Sequence, residues 1–246
     1  MRFNKIVIAI ALFTYASVFA QIALIKKSKS ILLKTSVIIP CVPKHVQHLK
    51  ELLHAYACQT VVPDEMVIAL SQCDDVSKNE LHALQTYSWP FIVKIIKTKK
   101  KCSAGANRNR AYRHATGDLI LAQDADDIPH PQKIELIKYI FEHYKVDHML
   151  HGWVPSVDEF VTYKKNNVCA YYCVHLDRVK HHIHHANVCA LRMVFQKVKW
   201  PEHFEVGEDV QFNKAVYKQF KHTAIIYADL IAYRSELSSW RKLFCI

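Results

Sequence analysis

The apolar run Leu119-Ile120-Leu121-Ala122 stops abruptly, and after Gln123 the chain reads Asp124-Ala125-Asp126-Asp127. That junction constrains the fold more than any other stretch. An uninterrupted apolar run suits a strand buried on both faces, whereas unpaired carboxylates cannot share that burial without a large cost. The strand must therefore end at an edge of a sheet that is open to solvent or to a ligand. Carboxylates gathered there suit a hard cation, Mg²⁺ or Mn²⁺, which completes its shell on phosphate oxygens. An acidic turn ahead of the next helix is the alternative for a bare Asp-x-Asp; the strand context and the third carboxylate favour the cation.

Around this junction, short β-type runs alternate with amphipathic helices, which predicts an α/β domain with a mostly parallel sheet. Ser36 to Pro40, Met66 to Leu70 and Phe91 to Ile96 read as strands. Val46, Leu49, Leu52, Leu53 and Tyr56 share one helical face. A helix is expected from Ala104 to His114, another opening at Pro131, and a third from Glu208 to Phe220. Residues 148–199 look less regular, a mixture of short strands and loops. No internal repeat is visible, so residues 31–240 are expected to form a single domain.

The formal charge of +11 resembles a nucleic-acid signal, but its distribution argues otherwise. No acid precedes Glu51, and Arg2, Lys5, Lys26, Lys27, Lys29 and Lys34 flank an apolar stretch from Ile6 to Ile25. Without those six, 27 basic residues face 22 acids, so no nucleic-acid partner is expected. The apolar stretch is long enough for a membrane-spanning helix. Val18-Phe19-Ala20 before Gln21 also fits a signal-peptide processing site. Residues 1–30 are accordingly expected to be an N-terminal hydrophobic helix with a basic flank. It would act as a single-pass membrane anchor, or as a signal peptide cleaved in the secretory pathway. The eight cysteines are too scattered for a disulfide framework and read as buried free thiols.

In an open α/β sheet, ligands bind outside the carboxyl ends of the strands. Ala104-Gly105-Ala106-Asn107-Arg108-Asn109 opens the helix before the acidic junction, where free N–H groups favour an anion and Arg108 could grip phosphate. The lysines at 97, 99, 100 and 101 read as a solvated loop. Gly207-Glu208-Asp209 opens the later helix, whose dipole keeps Asp209 ionised as a general base requires. Only four glycines occur, and three lie beside these motifs. His181, His182, His184 and His185 are dense, but neighbours in a strand point to opposite faces, which argues against a metal site.

The order of Ser-Val-Ile-Ile-Pro, Gly105-Ala106-Asn107-Arg108-Asn109, Ala115-Thr116-Gly117-Asp118, Asp124-Ala125-Asp126-Asp127 and Gly207-Glu208-Asp209 resembles the family 2 glycosyltransferases with the Rossmann-like GT-A fold. The resemblance covers about residues 35–235. It implies a metal-dependent inverting transfer of a sugar from a nucleotide-diphosphate sugar, a UDP-sugar first, to a hydroxyl of a glycan, lipid or protein acceptor. It implies Mn²⁺ or Mg²⁺ on Asp126, with Asp124 as a donor or metal-water contact. Asp209 would be the base, with Glu208 beside it. Donor contacts are implied for Pro40, Asp75, Gly105, Asn107, Arg108, Asp124 and Asp127. Apart from the resemblance, Trp153 is a sugar-stacking candidate and His184 of the histidine cluster a candidate to line the acceptor cleft, with structural or incidental roles the favoured alternative. Three departures stand out. Cys41-Val42-Pro43 follows Pro40 where an aromatic and Asn are usual, Ser71 stands where the family reads the nucleobase with Asp, and the Gln-x-x-Arg-Trp motif of polymerising members is absent. The last points to single addition. The first two motivate an alternative, a catalytically inactive nucleotide-sugar- or polyanion-binding membrane protein of the same fold. Nucleotidyl transfer ranks last, because Pro40 to Lys44 contains no glycine.

Overall fold

The computed structural model describes residues 32–172, 183, 185–204 and 206–233. Nine strands form one sheet: β1 (Thr35–Cys41), β2 (Glu65–Leu70), β3 (Ile92–Lys97), β4 (Leu119–Ala122), β5 (Ile128–Pro129), β6 (His148–Val154), β7 (Tyr171–Tyr172), β8 (Cys189–Leu191) and β9 (Thr223–Ala232). Six helices accompany them: α1 (Val46–Ala57), α2 (Lys78–Thr86), α3 (Ala104–His114), α4 (Lys133–His143), α5 (Arg192–Lys197) and α6 (Glu208–Gln219). The strand order is β3-β2-β1-β4-β8-β6-β9-β5, with β7 also on β9.

The mostly parallel sheet expected from the sequence is corrected to a mixed one. β3, β2, β1 and β4 are parallel, as are β6 and β9, but β8 runs antiparallel between β4 and β6. β5 and β7 are also antiparallel to β9. Parallel neighbours need a crossover helix. The long connection between β6 and β8 supplies none among the described residues, and β8, antiparallel to β6, re-enters the sheet from the edge at which β6 ends. The expected membrane anchor is also corrected. Among the described residues no helix is long and apolar enough to cross a membrane. Residues 1–31, where the apolar stretch falls, lie outside the described residues.

The two-residue period of the strands divides the core. Val37, Ile39 and Cys41 of β1, with Leu119 and Leu121 of β4, face α1 and α4 through Leu49, Leu53, Tyr56, Ile137 and Phe141. Ile38, Ile120 and Ala122 face the other way, onto Ala111, Tyr112, Phe195, Phe212 and Val216 of α3, α5 and α6. Both faces of the central strands are therefore covered, as their continuous apolar character requires. The six described cysteines are free, but only Cys41 and Cys189 are buried.

At the amino ends of the strands a polar clamp fixes the register. Glu65 on β2 accepts from Lys94 Nζ on β3 (2.5 Å), Ser36 Oγ on β1 (2.6 Å), Thr116 Oγ1 (2.9 Å) and the Thr116 backbone N–H. Burial works against ionisation of Glu65, but these donors, Lys94 first, outweigh it and hold the carboxyl down to about 2. Because the folded value lies below the unfolded one of about 4.3, the clamp's contribution is complete above that value and is lost as pH falls toward 2. Urea denaturation should show the native protein losing about 2 kcal/mol more than Glu65→Gln between pH 5 and pH 2. Parallel losses in the two proteins would exclude the clamp as an acid-labile element.

Candidate active site

β1, β2 and β4 run in one direction, so Cys41, Leu70 and Ala122 end on the same edge of the sheet. Gln123 extends β4 by donating its backbone N–H to Ile38 O (3.0 Å). Its side chain then shapes the turn that follows. The amide Nε2 donates to the carbonyls of Asp124 (3.1 Å) and Asp127 (3.3 Å). Its Oε1 accepts from Tyr56 Oη (2.9 Å) on α1 and Lys133 Nζ (2.8 Å) on α4. The acidic turn is thus held from beneath by a fully paired buried amide.

Across the turn stands α3, whose buried side is polar. Ser103 caps it by accepting from Ala106 N (3.1 Å). The Asn107 amide donates to Cys41 O (3.3 Å) and Ser71 Oγ (3.2 Å), joining the ends of β1 and β2. The Asn109 side chain pairs with the Trp200 backbone through Nδ2 to O (2.9 Å) and accepts from Trp200 N (3.1 Å). Between them Arg108 donates from Nη2 to Asp124 Oδ1 (2.7 Å) and from Nη1 to Glu208 Oε1 (2.6 Å). Its guanidinium lies 4.6 Å over the Trp200 ring, which stacks on Phe212 of α6 at 4.2 Å. Burial opposes the Arg108 charge, but Asp124 and Glu208 outweigh it and raise its pKa above the usual value.

These contacts change how several expected residues are read. Arg108 is only 2% exposed and bridges two carboxylates, where the sequence suggested a grip on phosphate. Gly105 is needed for packing, since a Cβ there would overlap the Pro201 carbonyl oxygen. Asn107 ties strand ends together, and Pro40 is buried in β1 opposite Ala69. Glu208 is committed to Arg108. Asp209 next to it is half-buried, and its Oδ1 accepts from Val210 N (2.7 Å). Gly207 takes φ 82° at the start of α6, a left-handed turn that turns the chain into the helix just before Glu208. Asp75 lies exposed in the turn after β2, while its neighbour Asp74 pairs with Lys99 at 3.2 Å. Trp153 on β6 packs edge-on against Tyr233 at 4.5 Å. His184 lies outside the described residues.

Burial and neighbouring carboxylates raise the proton affinity of Asp126 and Asp127. Burial, and then the Asp124 charge, push Asp126 up; burial, Asp124 and Asp126 push Asp127 well up. Two basic side chains that the sequence reading missed oppose this. His45 Nε2 lies 3.6 Å from Asp126 Oδ2, with burial lowering the imidazole pKa against the pull of Asp126. Lys133 is buried beneath the turn, and burial draws its pKa down to about 8 although Asp127 acts to raise it. The clue to both was positional: His45 follows the first strand, and Lys133 adjoins the buried helical face of Ile134 and Ile137.

Among the described residues no three His, Cys, Asp or Glu side chains converge as a ready metal cage. Mg²⁺ and Mn²⁺ do not need one, because one or two carboxylates, waters and substrate phosphates suffice. Asp124 and Asp126 at an open sheet edge fit that pattern. Buried Asp127 Oδ2 beside them has no hydrogen-bond partner, and a nearby cation would favour the ionised carboxylates.

Residues 36–200, well over half of the chain, match the profile described as Glycosyl transferase family 2. An uncharacterized glycosyltransferase of Methanocaldococcus jannaschii is 29% identical over 125 residues, 50% of this chain and 42% of that protein. The chain spans less than half the length of the curated relatives it matches. Among solved structures, S. aureus TarS gives a TM-score of 0.62 at 19% identity, covering 80% of this chain and 60% of that chain. TarS has also been crystallised with UDP-GlcNAc. Glucosyl-3-phosphoglycerate synthase from Mycobacterium tuberculosis, crystallised with Mn²⁺, UDP and phosphoglyceric acid, gives 0.61 at 12% identity, covering 86% of this chain and 73% of that chain. At these identities the likeness shows the fold, the Rossmann-like GT-A arrangement with a mixed sheet.

Removing Arg108 would leave two carboxylates facing each other without their shared cation. Arg108→Met should cost about 3–5 kcal/mol in urea denaturation, and Arg108→Lys less, since one ammonium cannot fork to both carboxylates. A denaturation midpoint unchanged in Arg108→Met would show that the bridge is dispensable.

Proposed function

The chain belongs to glycosyltransferase family 2, and we propose that it transfers a sugar from a UDP-sugar to an acceptor hydroxyl, one unit at a time and with inversion, using Mn²⁺ or Mg²⁺. The catalytic unit is residues 31–240, and the acceptor is a glycan, lipid or protein. The observation that carries this reading is the Arg108 bridge, which joins Asp124 of the acidic turn to Glu208 beside Asp209. It ties the carboxylates suited to a cation to the carboxylate suited to a base. UDP in the crystals of glucosyl-3-phosphoglycerate synthase and UDP-GlcNAc in those of TarS support the donor class, and Mn²⁺ in the former supports the ion.

In this mechanism Asp126 would be the principal ligand of the ion, with Asp124 beside it, and the ion would supply positive charge against the negative charge developing on the leaving diphosphate. Asp209 accepts the proton of the acceptor hydroxyl as that oxygen bonds to the anomeric carbon and the carbon–phosphate-oxygen bond breaks. Attack opposite the leaving group in one displacement inverts the centre. Glu208 and Arg108 hold Asp209 and Asp124 in place.

UDP release from a panel of UDP-sugars, with Mn²⁺ or with EDTA, tests the proposal. EDTA should abolish turnover. Asp126→Ala should lower it at least ~100-fold and remove stimulation by Mn²⁺. Asp209→Asn should lower kcat by a similar factor of ~100 while UDP binding persists. Full activity in either variant would refute the assigned roles. UDP-sugar binding with no Mn²⁺-dependent turnover in the native protein would favour the non-catalytic alternative.

A further inference from the structure

The outer edge of β9 contains a gap. β6 pairs along one edge of β9 from Thr223 to Ala232. On the other edge β7 covers Ala224 and Ile225, and β5 covers Ile231 and Ala232. Between those short strands the β6 register also jumps, from His151–Ile226 to Gly152–Asp229, so Tyr227 and Ala228 are extra residues in β9. Bulges of this kind re-aim side chains and recur beside binding sites. Here the bulge projects Tyr227 from the sheet, 59% exposed.

The segment before β7 borders the gap and forms one side of an open surface cavity of about 400 Å³, lined by Tyr163, Lys164, Asn167, Cys169, Tyr171 and Tyr227 among others. That volume lies in the ordinary range for small-ligand pockets, roughly 300–1,000 Å³. Its walls are pre-formed. Tyr163 Oη accepts from Asp229 N (2.8 Å), Tyr163 N donates to Gln132 Oε1 (2.8 Å), and Gln132 Nε2 donates back to Tyr163 O (2.9 Å). Tyr171 is fixed by pairing with Ile225, and its ring meets that of Tyr227 at 5.3 Å and 51°.

We infer that this cavity is a saccharide-binding subsite, which holds a sugar unit of the acceptor at a distance from the reacting hydroxyl. Pyranose rings offer an apolar C–H face that packs on aromatic rings and a rim of hydroxyls that needs hydrogen bonds. Rigid tyrosines supply the first at low entropic cost. The Asn167 amide, the Thr162 hydroxyl and the Lys164 ammonium supply the second at the mouth. β9 is three strands from β4 in the sheet, a lateral offset of roughly 14 Å at about 4.8 Å per strand, and its Ile231–Ala232 end pairs with Ile128–Pro129 just after the acidic turn, so β9 runs from the cavity toward that turn. The assignment rests on the proposed transferase function only for why a sugar chain would be present.

Titration of the full chain with chitotetraose, cellotetraose and maltotetraose, without donor, tests it. At least one should bind with Kd of about 1 mM or tighter. Tyr227→Ala, at an exposed position, should weaken that binding at least ~5-fold with an unchanged melting temperature. The bound tetrasaccharide should slow iodoacetamide alkylation of Cys169, read by peptide mass spectrometry. Binding of none of the three would overturn the subsite. So would affinity unaltered by Tyr227→Ala, or preferential binding of oligouridylate, whose bases also stack on tyrosine. UDP titration with Mn²⁺ reports on the donor site separately. A chain that binds a tetrasaccharide but not UDP would refute the donor reading and leave this subsite supported.

Discussion

One buried guanidinium organises the edge of the sheet that bears the carboxylates. Arg108 pairs with Asp124 on the turn after β4 and with Glu208 at the start of α6, two segments far apart in sequence. Burying three charges is costly unless geometry and hydrogen bonding are both satisfied. Here the fork of Arg108 serves one carboxylate with each terminal nitrogen, and the Trp200 face covers its plane. Such a bridge gains little stability over apolar packing, and its value lies in specifying one arrangement. With the guanidinium fixed, the turn and the helix start have one relative position, and the carboxylates keep their spacing.

The same logic explains a helix that looks wrong by periodicity. Along α3 the residues turned inward include Asn107, Arg108 and Asn109, which a simple amphipathic pattern would put in solvent. Each secures a different neighbour: the ends of β1 and β2, the two carboxylates, and the Trp200 segment. The apolar work of holding α3 against the sheet falls to Ala111 and Tyr112 at its far end. One end of the helix is a packing element and the other a polar junction. The inward side-chain donors of the polar end, the amides of Asn107 and Asn109 and the terminal nitrogens of Arg108, are paired inside the protein, while Arg108 Nε has no partner among the described residues.

How much was legible follows from the range of the signals. β1, β2 and the apolar face of α1 were plain, because Val37 to Ile39, Met66 to Leu70 and Leu49, Leu52, Leu53 and Tyr56 carry their burial in local pattern. The position of the acidic turn at a strand end was equally plain, since a run of buried residues cannot continue into three carboxylates. β9 escaped notice although it is ten residues long, because its apolar run is broken by Tyr227 and Asp229, the residues that its bulge re-aims. β5 and β7, two residues each, have no local signature and exist only through pairing with β9. The direction of β8 was equally hidden, since strand polarity depends on a connection whose course the residues do not encode locally. Lys133 and Gln123 carry no local signal of their role, and only the tertiary fold turns them into the support of the turn.

These pieces explain how one sheet edge can hold three carboxylates in a stable fold. Arg108 neutralises Asp124 from the α3 side, and Lys133 faces Asp127 from beneath. Gln123 fixes the backbone between them and contributes no charge. Asp126 is the carboxylate with the least support, facing His45 at 3.6 Å while Asp124 raises its proton affinity. A cation arriving with a diphosphate would therefore meet its strongest unmet negative charge at Asp126. The two protein cations differ from such an ion in being buried and fixed. They hold Asp124 and Asp127 in place from within the fold.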